Sequence, residues 1–314
     1  PPAPIPNRAF DSQWRPLAKL DMEVAAAVGA SFSGNLKLRI EGGRFLLSLK
    51  GSLVWGVGFK GYMTFEVGYE SVIALLELVR KEMAANRYQD LDWVDGEALA
   101  YVRNLSFLGA VGVDVAFVYV RGYAVVKEIY GQLTDGGRGG LIAYKLVQNR
   151  TQRVMEDWVR NLQPQAFGPL LLALSSAPKS FSVTEEQGVR SFNETQAHLL
   201  QQQAIERCVG WISRKSDACQ QFEEAVICMN RDGTRPISAG LAYCKNKARL
   251  DLFMAEQIDA FDRVSNERRA RYRQCVSTLG ARLNGYCEYS KAYAGPAFAP
   301  VEEIKTIYKG PNID

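Results

Sequence analysis

The chain has 314 residues, is 47% hydrophobic, and carries 38 Lys and Arg against 34 Asp and Glu, for a formal net charge of +4. That length allows two domains, and that apolar content is enough for real cores. So small a charge argues against a dedicated nucleic-acid binder, and the single histidine excludes a metal site built from several imidazoles.

The chain opens PPAPIPNRAF, with no charged segment leading into an apolar run and a small-residue cleavage site. Residues 1–19 read as an entering linker, so the chain is expected to be part of a larger protein. Residues 20–68 read as an antiparallel β region. In NLKLRIE, Leu36, Leu38 and Ile40 face one way and Lys37, Arg39 and Glu41 the other. Gly42-Gly43 then supplies a hairpin turn. RFLLSLKGSLVWG and FKGYMTFEVG continue the pattern, with interior glycines that mark bends or bulges.

Residues 69–133 read as a hydrophobic helical region. Val72, Ile73, Leu75, Leu76 and Val79 form one apolar face, and a second helix is expected to begin near Asp95. The acids Asp90, Asp92, Asp95 and Glu97 do not make a calcium loop. Counting from Asp90, the fifth and sixth positions hold Val94 and Asp95 where an oxygen ligand and glycine are needed. Helix N-capping explains them better.

The most apolar stretch is 105–126, LSFLGAVGVDVAFVYVRGYAVV, 22 residues and long enough to cross a bilayer core as a helix. Its Leu, Val and Phe residues favour insertion by roughly 3 to 7 kcal/mol. Asp114 opposes it by about 2.5 to 3.5 kcal/mol, and Arg121 by less because it snorkels. The sum is near zero, so the stretch is a conditional insertion element at most. Phe107, Leu108, Gly109, Gly112, Val113, Asp114, Phe117, Val118 and Arg121 are the candidate residues. Gly109, Gly112 and Ala116 offer a small-residue face for helix packing. A buried core helix is the plainer reading, and the alternation of Val111, Val113 and Val115 leaves a strand open.

Residues 134–149, containing TDGGRGG, read as a glycine-rich linker. They are no phosphate loop, because Leu141-Ile142 stands where Lys-Ser/Thr is required. Residues 150–295 read as a mostly helical, cysteine-containing domain, with a tail at 296–314. Its six cysteines, Cys208, Cys219, Cys228, Cys244, Cys275 and Cys287, include no CxxC pair, which makes a zinc ribbon or thioredoxin-type site a poor reading. Either they are small buried residues, or some pair and brace the helices; we expect pairing, although six cysteines allow 15 connectivities. His198 has no base or orienting acid in a recognisable motif and is expected to be a surface or capping residue without catalytic role. Arg263, Arg268, Arg269, Arg271 and Arg273 read as a solvated helix face, or else as a contact for anionic lipid or an acidic partner.

The segments GSLVWGVGFKGYMTFEVGYESVIALLELV, RYQDLDWVDGEALAYVRNLSFLGAVGVDVAF, QQQAIERCVGWI, QFEEAVICMNRDG and NKARLDLFM occur in that order. Over roughly residues 20–290 the chain resembles the C-terminal region of VasX-like type VI secretion effectors of Gram-negative bacteria. The resemblance implies a non-enzymatic toxin that permeabilises or depolarises the inner membrane of a target cell, in the manner of pore-forming colicins. It implies secretion from the donor cytoplasm and action at the target periplasm and inner membrane. The implied partners are target-membrane lipids, a cognate immunity protein, and a type VI spike or adaptor engaged through an upstream region, with no nucleic acid. It offers no catalytic residues to carry over, and no cofactor or metal is expected. A toxin enzyme of unrecognised chemistry, or a structural or binding module of a larger effector, are the alternatives. The expected fold is α+β: a small glycine-rich antiparallel sheet followed by hydrophobic helices and a mostly helical C-terminal domain.

Overall fold

The alternation in LKLRIE becomes strand β1 (Leu36–Glu41), which turns at Gly42-Gly43 into β2 (Arg44–Lys50) and, further on, β3 (Tyr62–Glu66). Both turn glycines have positive φ, +59° and +79°, the conformation a two-residue hairpin with primed geometry requires. Leu36 faces Leu49, Leu38 faces Leu47 and Ile40 faces Phe45, so the apolar residues of both strands share the face that packs on the core. The outer edge of β1 is taken up by the backbone of 93–95, through Leu38 N–H to Trp93 C=O (2.7 Å) and Asp95 N–H to Leu38 C=O (2.9 Å).

This computed structural model describes residues 36–50, 62–148, 152–186, 188–256 and 263–279. The entering linker, the tail, Cys287 and the glycines 51–61 lie outside the described residues. Among those described, eleven helices follow or interleave with the strands, and the fold is α+β and mostly helical, as expected. They are α1 (Val72–Ala85), α2 (Gly96–Ala110), α3 (Val115–Val120), α4 (Tyr123–Thr134), α5 (Gly139–Val147), α6 (Gln152–Arg160), α7 (Pro164–Leu174), α8 (Glu194–Ile212), α9 (Ala218–Ile227), α10 (Ala239–Ala255) and α11 (Arg263–Leu279). A hairpin of β4 (Phe181–Glu185) and β5 (Gly188–Phe192) separates α7 from α8.

Local chemistry sets several boundaries. Asp95 caps α2 by accepting from Glu97 N–H (2.9 Å), the role expected for that acidic run. Asn193 and Gln196 form a reciprocal capping box at the start of α8.

Helix C-termini are closed from a distance. Gln201 donates to the Leu174 carbonyl at the end of α7 and to the Ser176 carbonyl just beyond it, and Gln202 to Phe253 and Glu256 at the end of α10. Gln221 donates to Leu162 C=O after α6, Asn246 to Val226 C=O in α9, and Arg207 to Val147 C=O in α5. Gln201, Gln202 and Gln221 are buried and Arg207 and Asn246 half-buried, and they satisfy carbonyls at or near helix ends, where the helix itself runs out of amide donors.

One hydrophobic core runs from Leu36 to Leu279, which corrects the expected division at 134–149. Gly136 and Gly137 do turn with positive φ, but α5 begins at Gly139, and Ile142, Ala143 and Leu146 are buried in the common core. A Cβ on Gly139 would lie 2.4 Å from Ala173 C=O. The glycine run permits close packing of α5 on the end of α7 and is no flexible linker. Residues 150–295 are mostly helical as expected, and the β4–β5 hairpin is an addition that the helical reading did not include; Phe181 and Phe192 stack at 4.7 Å and rest against Tyr144 of α5.

Candidate functional site

The stretch 105–126 does not fold as one element. Leu105, Phe107 and Leu108 are fully buried in the last turns of α2. Gly109 lies against the Trp158 ring, where a Cβ would come within 2.6 Å. Gly112, at φ +80°, then ends the helix. Asp114 caps α3 through Phe117 N–H (3.1 Å), and Gly122, at φ +88°, separates α3 from α4. The strand reading of 111–115 is therefore overturned, and so is the small-residue face. Gly109, Gly112 and Ala116 occupy a helix, a turn and a second helix, so they share no face. Among the described residues no helix is long and apolar enough to cross a membrane.

Helix α3 is the exposed corner of this region. Val115, Val118 and Tyr119 are buried and Val113 is partly buried, whereas Phe117 is 58% and Val120 48% exposed. Arg121 sits over the Phe117 ring at 4.7 Å. The corner is pinned to the sheet through Tyr119, whose hydroxyl accepts from Phe45 N–H (3.0 Å) and donates to Val67 C=O (2.8 Å). Burial raises the Tyr119 pKa and keeps that hydroxyl a donor. Arg44 adds a bond to Val120 C=O (3.1 Å).

Sequence reasoning missed the helix at the centre of the molecule. In α7, PQAFGPLLLAL, every residue but Leu172 is buried, and the helix packs against α2, α4, α5, α8 and α9. A signal existed: residues 161–178 contain no Asp, Glu, Lys or Arg.

The remaining sequence candidates fall elsewhere. Cys208, Cys219, Cys228 and Cys275 are free, and no bridge joins two described cysteines, which corrects the expectation for those four. Cys244 is disulfide-bonded. Burial pushes the Cys228 thiol up to about 12, so it is an inert packed residue. The arginine run is not a solvated face throughout: Arg268 and Arg269 are each 8% exposed, and Arg271 pairs with Glu206 at 3.0 Å. Among the described residues no three His, Cys, Asp or Glu are grouped so as to hold a metal ion.

His198 is buried, at 6% exposure, and not on the surface. Its ring lies 4.4 Å from that of Phe253, and its Nε2 has no partner among the described residues. Desolvation lowers its pKa, against the opposing pull of Glu256 and the Phe253 backbone. The folded protein then binds fewer protons than the unfolded chain below about pH 6.5, so His198 takes stability away as pH falls through that value. Urea midpoints at pH 7.5 and 5.5 are expected to fall more for the wild type than for His198→Gln. Equal falls would remove His198 as the cause.

No protein family, curated protein or solved structure matches this chain.

Proposed function

We propose that this chain is the C-terminal toxin part of a VasX-like type VI secretion effector, which permeabilises or depolarises the inner membrane of a target cell. The observation that carries the proposal is α7, apolar on nearly every side and packed against the equally apolar end of α2. A helix hydrophobic all round belongs either in a protein core or in a bilayer, and the same side chains serve both. Neither helix spans as folded. At 11 and 15 residues they extend about 16 and 22 Å, against a hydrocarbon core of about 30 Å. Insertion therefore requires α3 to leave the sheet, so that 105–126 becomes continuous. The exposed Phe117 and Val120 beside Arg121 supply a first apolar contact with a basic residue next to it. In this reading the chain acts without catalytic residues. Its partners are target inner-membrane lipids, an immunity protein, and the secretion spike through an upstream region.

Dye release from phosphatidylglycerol–phosphatidylethanolamine vesicles tests the reading. The wild-type chain is expected to release dye. Phe117→Asp leaves the fold intact because the side chain is mostly exposed. It adds about 2.5 to 3.5 kcal/mol to insertion, so release should fall by at least about tenfold. Adding Val113→Asp should abolish it. Retained release by a double variant with native circular dichroism removes this segment from the mechanism, and no release by the wild type overturns the membrane reading.

A further inference from the structure

Helices α10 and α11 leave a cleft of about 360 Å³ between them, lined among others by Lys247, Asp251, Met254, Arg269, Tyr272 and Arg273. Asp251 is satisfied within the cleft: Lys247 pairs with it, and the Tyr272 hydroxyl donates to it at 2.8 Å. Among the described residues the two arginines have no such balance. Arg269 is 8% exposed, and its guanidinium donates only to neutral groups among the described residues, the Glu256 backbone carbonyl and the Asn266 side-chain carbonyl. Arg273 is exposed. Three cations against one carboxylate leave the cleft with a surplus of two positive charges. A buried guanidinium without a counter-charge is unfavourable unless an anion reaches it. Met254 and Val276 give the cleft an apolar side.

We propose that this cleft binds the phosphate group of an anionic phospholipid, with Arg269 and Arg273 as its ligands and the apolar wall against the glycerol and upper acyl carbons. Planar guanidinium groups match phosphate oxygens bidentately, and Lys247 stays engaged with Asp251. The proposal rests on the membrane reading for the source of the phosphate and on the cleft alone for the site.

The experiment measures binding to phosphatidylglycerol and to phosphatidylcholine vesicles, alongside dye release, with inorganic phosphate as a soluble probe. Arg273→Gln should weaken binding to phosphatidylglycerol about fivefold. Arg269→Met should weaken it at least as much while the urea midpoint stays level or rises, because an uncompensated buried charge has been removed. Lys127→Gln with Lys245→Gln removes two exposed charges outside the cleft and should leave the preference for phosphatidylglycerol in place. Cleft variants that bind like the wild type, or a control pair that loses as much, overturn the site. Phosphate binding at the cleft without vesicle binding overturns the lipid as its source. Leakage that persists unchanged in the cleft variants removes the cleft and keeps insertion. Lipid binding at the cleft without leakage keeps the cleft and removes permeabilisation.

Discussion

Gly168→Ala is expected to destabilise this protein by more than about 3 kcal/mol, a large share of the 5 to 15 kcal/mol that holds an ordinary domain together. Gly168 lies in the middle of α7, where that helix crosses the end of α9. A Cβ there would stand 2.3 Å from Cys228 O, 2.5 Å from Cys228 C and 2.6 Å from Ala225 O. All three are backbone atoms, so no side chain can rotate away, and the helices must separate. Because α7 touches α2, α4, α5 and α8 as well, the shift spreads through the core. Alanine's better helix propensity returns only about 1 kcal/mol. Gly109→Ala is the instructive comparison, since its Cβ would meet the Trp158 ring at 2.6 Å, a side chain with some freedom to tilt. Its effect should be smaller, about 1 to 3 kcal/mol. Urea unfolding followed by circular dichroism ranks the two. If Gly109→Ala is the more damaging, close backbone approach is not what limits α7.

Tyr119→Phe is expected to lower folding stability by about 2 kcal/mol and to raise membrane activity together with that loss. The hydroxyl joins α3 to β2 through Phe45 N–H and to the residue that follows β3 through Val67 C=O. Removing it leaves a buried amide and a buried carbonyl short of a partner, while the ring keeps its place beside Phe45 and Tyr101. If release of α3 precedes insertion, loosening the folded state by that amount should speed dye release by about tenfold or more, since 1.4 kcal/mol is a factor of ten. A less stable variant with unchanged or slower release would show that α3 stays on the sheet during membrane action. Phe117→Asp acts on the inserted state and Tyr119→Phe on the folded one, so the pair separates the two ends of the proposed transition.

Elements governed by near neighbours were legible in the residue order. The alternation of Leu36, Leu38 and Ile40, the Gly42-Gly43 turn, the apolar face of α1 and the cap at Asp95 all stand as read. Each depends on residues a few positions apart: side-chain period, backbone freedom at glycine, or a carboxylate reaching an amide two residues on. The α+β class follows from the same local periods.

Tertiary structure alone decided the rest. Hydropathy along the chain drew attention to 105–126, yet α7 holds the centre, because a sequence period says which side of a helix is apolar and not how many neighbours cover it. Gly139 resembled a linker residue until Ala173 C=O proved to be its neighbour. With no catalytic motif around it, His198 reads as a surface or capping residue in a glutamine-rich stretch. Gln201 and Gln202 are instead buried, spent on carbonyls 25 to 54 residues away at the ends of α7 and α10, and they draw His198 in with them. Those pairings join residues that no local rule relates, since a helix end leaves its last carbonyls unsatisfied whatever its sequence, and the donor that reaches them is chosen by packing.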